Sequence, residues 1–505
     1  MNTLYRPELL YSNGRFIADG EVLVSESGQF LETPHKFVPS STKIVDLPGK
    51  ALLPGFVNAH SHSFQRLIRG KSESRIVSGK DFWSWRGTMY HAASQLTAQD
   101  VYDVARMAFL EMVLAGTTTV GEFHYLHNDP NGRPYDDPNL LSKQVIAAAQ
   151  SVGIRIVLLR TAYLRSGHEL PPDPGQTRFF ESTTAFLENM DALIGACSAN
   201  QSEVQFGVAP HSIRAVPLPD LKEIAAWSRQ NKLPLHMHVA EQVAENAACL
   251  REYGFTPVAM FNKERLLGPD FTAVHAIHIS SDEIAMLADA DATICSCPTT
   301  ERNLGDGIIA ADHVMAAGIR VALGSDSQAQ IDPLEDAREL DYHLRLERQE
   351  RAILDQIATK KLASRLFDCA TTHGARALAL PAKGLTPGSS ADFFTVDLND
   401  VSIAGHSAED LLSIIVFSLG RSAIRDVVVN GKFILHDQKH IHREEIISRY
   451  QEIHQRVWQN SEVRRSEFSA GTERTSMERR SGQKDSQSPA TLGIQSRKSY
   501  FRGDL

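Results

Sequence analysis

The chain has 505 residues, 42% apolar and 22% charged, with a formal net charge of -9. That length accommodates a large barrel with an accessory domain, and the acid excess gives no support to nucleic-acid binding or to an anionic membrane surface. No run of about 18 uncharged apolar residues suggests a membrane span. The segment from Met1 to Glu8 lacks the apolar core of a secretion signal, and 5 cysteines in so long a chain make no disulfide framework. The expectation is a cytoplasmic enzyme with no nucleic-acid or membrane partner.

Residues 1 to about 50 carry short β-like runs with turns at Ser12-Asn-Gly14 and Ser25-Glu-Ser-Gly28. From about 51 to 375, strand-like runs alternate with helical stretches. The strands are expected to begin near Ala51, Thr117, Ile154, Val204, Leu233, Thr272, Ala292 and Ile319. Eight β/α alternations predict a (β/α)8 TIM-like barrel, of class α/β. Thr97-Ala-Gln-Asp100 opens one crossover helix with an N-cap signal, and Val101 to Leu114 has amphipathic spacing. Near Gly384 the pattern returns to β, with Ala391–Val396 and Ile424–Leu435. The two ends therefore predict one small β-sandwich domain from 1–53 and 381–440, around a barrel at 54–380. A C-terminal helix is expected at 441–459. The polar segment 460–505 has too few large apolar residues to offset ordering entropy and reads as disordered.

Four residues have the character of one metal's ligand set. His60 and His62 close the apolar run that starts at Ala51, His238 ends Leu233-Pro-Leu-His-Met-His238, and Asp326 ends Ile319–Asp326. Each follows a β-rich run, and the C-terminal strand ends of a β/α barrel line its active site. Imidazole nitrogens with a carboxylate suit one divalent metal, zinc first, with iron or manganese compatible. The chemistry indicated is metal-assisted hydrolysis.

Glu241, three residues after His238, can shuttle a proton from water to a leaving nitrogen; its bland alternative is a carboxylate at a helix N-terminus. His275 also ends a strand and can polarise the attacked group or stabilise the tetrahedral intermediate. His278 reads as structural. His236 shares the pleat direction of His238, but four ligands already fill a metal. Cys295-Ser-Cys297 could offer soft ligands, yet alternation on a buried strand explains it more simply. Gly305-Asp-Gly307-Ile-Ile-Ala310 fits a dinucleotide fingerprint only weakly, and no P-loop, G-x-S-x-G elbow or P-C-x-x-C deaminase signature is present.

The set Pro54-Gly-Phe-Val-Asn-Ala-His60-Ser-His62, His238-Val-Ala-Glu241, His275 and Ser325-Asp326 resembles the amidohydrolase superfamily, in its branch of mononuclear aminohydrolases that cleave C–N bonds. The terminal β segments, with Pro387-Gly-Ser-Ser-Ala-Asp392 and Val429-Asn-Gly-Lys432, are similar to that superfamily's split β-sandwich. A narrower resemblance rests on His62-Ser-Phe-Gln65, Asp81-Phe-Trp-Ser-Trp-Arg86-Gly-Thr-Met-Tyr90, Glu122-Phe-His-Tyr125, His211-Ser-Ile-Arg214 and Asn303-Leu-Gly-Asp-Gly307. These are similar to the formimidoylglutamate deiminases of histidine degradation.

That resemblance implies hydrolysis of N-formimino-L-glutamate to N-formyl-L-glutamate and ammonia, and a homodimer. It places Arg86, Tyr125, His211 and Arg214 around the glutamate part and Gln65 at the formimino nitrogen. Asp326 is given a second role as proton acceptor from the water. The charge argument agrees, because the substrate is a dicarboxylate amidine and Arg86 and Arg214 carry permanent positive charge able to hold carboxylates bidentately. Two departures from the family pattern stand out: Cys297-Pro-Thr-Thr-Glu301-Arg-Asn303, where Leu-Ser-Thr-Glu is usual, and Gln328, where His or Asn usually follows Asp-Ser. The competing readings are a deaminase of a nucleobase, nucleoside or other amidine, and a non-catalytic barrel scaffold.

Overall fold

The computed structural model describes residues 1–32, 41–73, 82–170, 173–197, 203–356, 361–381 and 384–459. The predicted disordered segment 460–505 and Asp81 of the Trp-rich motif lie outside the described residues. The elements below belong to the unit Met1–Ile453.

The first strands are β1 (Thr3–Ser12), β2 (Arg15–Ala18), β3 (Val22–Val24), β4 (Phe30–Leu31) and β5 (Lys43–Pro54). The β1–β2 hairpin turns on Asn13 and Gly14, both at positive φ (50° and 83°), the backbone of a two-residue turn that favours Asn-Gly. Then follow eight strands, each parallel to the next: β6 (Phe56–Ser61), β7 (Thr117–His124), β8 (Arg155–Ala162), β9 (Val204–Pro210), β10 (Leu235–Val239), β11 (Phe271–His275), β12 (Thr293–Ser296) and β13 (Arg320–Leu323). The chain ends in β14 (Phe393–Asp397), β15 (Ile424–Val429) and β16 (Lys432–Leu435).

The eight central strands form the predicted barrel. Its seam is closed by His62 N–H donating to the Asp326 carbonyl and Asp326 N–H to the His60 carbonyl, both at 3.0 Å. The helix Ala98–Leu114 begins with the expected capping box, the Thr97 hydroxyl and the Asp100 carboxylate each accepting from the other's backbone N–H. The terminal segments share one eight-stranded mixed sheet, ordered β16-β15-β14-β5-β1-β3-β4 with β2 also on β1. Tyr5, Phe30, Leu52, Phe393 and Val428 share its core.

One expectation needs correcting. The run from Ala51 to His60 reads as a single barrel strand, but Ala51–Pro54 end β5 and pair with β14 of the terminal sheet. The barrel strand starts at Phe56. Gly55 is the corner, where a Cβ would meet Thr118 Oγ1 at 2.2 Å. Both halves of the run are buried, so hydropathy could not separate them.

The barrel and the terminal sheet are joined by a buried ion pair. Arg155 at the start of β8 donates Nε to Asp392 Oδ2 at 3.0 Å, and the side chains are 4% and 1% exposed. Arg155→Met would leave the Asp392 carboxylate buried without its cation. The expected loss is about 3–5 kcal/mol of unfolding free energy, read from urea denaturation of the full chain. An unchanged midpoint would contradict it.

Candidate active site

Side chains two apart on a strand face the same side, so His60 and His62 both enter the barrel while Ser61 turns to Glu122. The Ser61 hydroxyl donates to Glu122 Oε2 at 2.6 Å and Ser63 N–H to Oε1 at 2.6 Å. His238 comes from β10, and Asp326 follows β13 across the seam.

The four donor atoms converge. His60 Nε2 lies 3.2 Å from both His62 Nε2 and His238 Nε2, and Asp326 Oδ1 lies 3.1 Å from His62 Nε2 and 3.4 Å from His60 Nε2. Ligands about 2.0–2.1 Å from a tetrahedral Zn²⁺ are about 3.3–3.4 Å apart, so these edges fit one ion. The outer contacts fit as well. His62 Nδ1 meets the Phe123 carbonyl at 2.8 Å and His238 Nδ1 the His211 carbonyl at 2.9 Å, which leaves each Nε2 lone pair facing inward. Burial pulls the His60 pKa down to about 3 and that of His238 well below its usual value, so both imidazoles are neutral donors. Burial raises the Asp326 pKa, but the facing His60 and His62 imidazoles outweigh it and hold the carboxylate well below its ordinary range.

Beside this set stand Glu241 and His275. His275 Nε2 is 3.9 Å from Glu241 Oε1 and 3.9 Å from Asp326 Oδ2, while Nδ1 is 3.3 Å from Glu301 Oε1. Burial lowers the His275 pKa, yet Glu241, Glu301 and Asp326 together hold it well above the usual value. Burial raises Glu241. Ala240, His275, Asp326 and Gln328 all have φ between 45° and 71°. Non-glycine residues rarely adopt that region, and such strain concentrates at functional sites.

A cavity opens over these groups. Gln65, Arg86, Tyr125, His211 and Arg214 all line it, together with His62, His238, Glu241, His275 and Asp326. Every residue assigned to the site by sequence is thus at one cavity or in the donor set beneath it. Gln65 Nε2 donates to Tyr125 Oη at 2.6 Å, and Gln65 Oε1 is buried without a protein partner among the described residues. Arg214 Nη1 donates to Tyr163 Oη at 3.0 Å and to the Ser166 carbonyl at 2.9 Å, and no carboxylate lies within ion-pairing distance of it among the described residues.

Other candidates resolve differently. His236 shares the inward direction of His238 but sits deeper, with Nε2 2.7 Å from the Ala377 carbonyl. His278 Nε2 is 2.8 Å from the Asp306 carbonyl. Cys295 lies in the apolar cluster with Ala59 and Val274; Cys297 lies there too, and its thiol, with His275 and Glu301, forms a second set of potential metal donors. Gln328, the departure from the family pattern, is a clasp on the seam. Its amide donates to Ser61 Oγ at 2.8 Å and the Asp326 carbonyl at 3.0 Å, and its Oε1 accepts from Ser325 Oγ at 2.9 Å. Sequence reasoning gave no role to Glu122, Tyr163, Phe179, Glu301 or Gln328. A signal existed for Tyr163, which directly follows a barrel strand.

A parallel barrel with three histidines and an aspartate at its strand ends defines a metal-dependent hydrolase. Residues 51–434 match the model of the Amidohydrolase family, and the chain belongs to that family. It acts on C–N bonds, as its deiminase and deaminase relatives indicate. A formimidoylglutamate deiminase from Pseudomonas aeruginosa is 35% identical over 393 residues, 78% of this chain and 86% of that one. A 5'-deoxyadenosine deaminase from Methanothermobacter thermautotrophicus is 27% identical over 433 residues, 85% of this chain and 92% of that one. The crystal structure of an amidohydrolase from Brucella melitensis superposes with a TM-score of 0.83 at 30% identity, covering 90% of this chain and 100% of that one.

Proposed function

We propose that the chain hydrolyses N-formimino-L-glutamate to N-formyl-L-glutamate and ammonia, with one zinc ion held by His60, His62, His238 and Asp326. The observation that carries this reading is the polarity of the cavity. At one end Glu241 and Asp326 flank His275, which suits a cationic amidinium. At the other, Arg86 and Arg214 meet at Tyr163, which suits a carboxylate. A purine nucleoside has no anion for the second end.

A divalent cation on these four donors would supply Lewis-acid chemistry and make the attacking water more acidic. Glu241 takes a proton from the attacking water and delivers it to the nitrogen that leaves. Amidinium plus water then gives the formyl group and ammonium, with no proton needed from outside. His275 presents an N–H at Nε2 to the charge that develops on the reacting group, held by Glu301 on its far side. Gln65 Oε1 accepts from a formimino N–H, and Tyr125 holds the other end of that amide.

Arg214→Met tests the carboxylate end. KM for N-formimino-L-glutamate is expected to rise about 10²-fold, as loss of a charge-assisted pair of about 2.7 kcal/mol implies, with a smaller change in kcat. An unchanged KM in steady-state ammonia release would remove the anion role from Arg214.

A further inference from the structure

The hydroxyl of Tyr163 sits where the two arginines meet. Tyr163 directly follows β8, is 2% exposed and lines the cavity. Two guanidinium N–H groups donate to its oxygen, Arg214 Nη1 at 3.0 Å and Arg86 Nη2 at 3.4 Å, and the Gln176 amide lies beside it, with Nε2 at 2.7 Å and an Oε1 that has no partner among the described residues. A phenol oxygen has two lone pairs and one hydrogen, and a guanidinium can only donate. The two guanidiniums therefore fill the accepting side of this oxygen.

The surroundings fix that geometry. The His211 ring stands edge-on to the Tyr163 ring at 4.7 Å, and Phe179 and Phe180 lie at 5.6 and 5.7 Å. Gln176 Nε2 also lies 2.5 Å from Tyr90 Oη, and Arg86 lies over the Tyr90 ring at 5.4 Å. The choice of a phenol also has an electrostatic consequence. A carboxylate at this position would gather the two guanidiniums equally well but would neutralise them. A neutral acceptor gathers them without adding a negative charge.

We propose that Tyr163 is a positioning residue for specificity: its hydroxyl accepts from Arg86 and Arg214 and holds them side by side as one clamp for a carboxylate. This rests on the dicarboxylate reading above and adds to it the device that aligns the two arginines.

The test uses the full, metal-loaded chain and Tyr163→Phe, which removes one oxygen and keeps the ring packing. The first readout is calorimetric binding of N-formyl-L-glutamate, which carries both carboxylates and no amidine. The second is KM against kcat for N-formimino-L-glutamate. Loss of one hydrogen bond to a charged group should raise Kd and KM about tenfold, with kcat nearly unchanged. In an Arg214→Met background the same substitution should add little, because residues that act as a unit are not additive. Gln176→Glu is a second route: it sets a negative charge beside the clamp, and the same loss of affinity is expected.

Normal binding by Tyr163→Phe, with Arg214→Met impaired, would overturn the proposal. So would a loss in kcat at unchanged KM, or equal losses in both backgrounds. Wild type that binds N-formyl-L-glutamate but releases no ammonia from N-formimino-L-glutamate would sink the deimination alone and leave the clamp standing. Wild type that binds neither would sink both.

Discussion

Glu241→Gln should lower kcat for ammonia release by about 10²–10⁴-fold, the range that a positioned acid–base group contributes, while KM and metal content stay close to wild type. Glutamine keeps the shape of the side chain and its place 3.9 Å from His275, but it cannot carry a proton from water to nitrogen. The split between kcat and KM is the informative part, because a group used only in the transition state leaves ground-state binding alone. Steady-state kinetics beside elemental analysis of the purified variants would read both. A variant that loses metal, or one that keeps wild-type kcat, would mean that Glu241 supports the donor set instead of serving the reaction.

His238→Ala should cost more. It removes one of three imidazoles whose Nε2 atoms lie within 3.2 Å of the His60 Nε2 or coincide with it. Loss of an outer-sphere partner lowers metal affinity roughly 10–100-fold, and loss of a direct ligand should exceed that. The expected result is a protein that folds, retains well under one equivalent of zinc after dialysis against a weak chelator, and releases no measurable ammonia. Dialysis of wild type against a strong chelator should give the same inactive state, restored by added zinc. A His238→Ala protein with full metal and full activity would show that the ion sits elsewhere.

The donor set was legible because each member closes a β-rich run, and a barrel gathers its strand ends in one place. His60, His62, His238 and Asp326 each carried that mark in the chain. The eight-strand alternation was legible for the same reason, with seven of the expected starts within two residues of the observed strands. The eighth, at Ala51, failed because both neighbours of Gly55 are buried and nothing in their hydropathy marks a change of sheet. The clamp was half legible. Two arginines gave the charge, but Tyr163 acts across 51 residues to Arg214 and 77 to Arg86, and no local pattern reports such a meeting. Glu301 was equally hidden. Its carboxylate takes the Cys297 N–H at 2.7 Å, as a residue in a helical first turn does, and its contact with His275 depends on the packing of two strand ends. Gln328 looked like a loss against the family pattern; in the fold it is the amide that ties the His60–His62 strand to the Asp326 strand.

The central claim concerns what fills the polar ends of the cavity, and one measurement addresses it: initial rates of ammonia release by the zinc-loaded wild-type chain with N-formimino-L-glutamate and, in parallel, with 5'-deoxyadenosine. The expected result is turnover of the first with kcat/KM of about 10⁴ M⁻¹s⁻¹ or higher, the ordinary floor for an enzyme on its own substrate, and negligible release from the second. Release from the nucleoside with none from N-formimino-L-glutamate would contradict the account: the hydrolytic machinery would stand, and the two arginines would need another ligand.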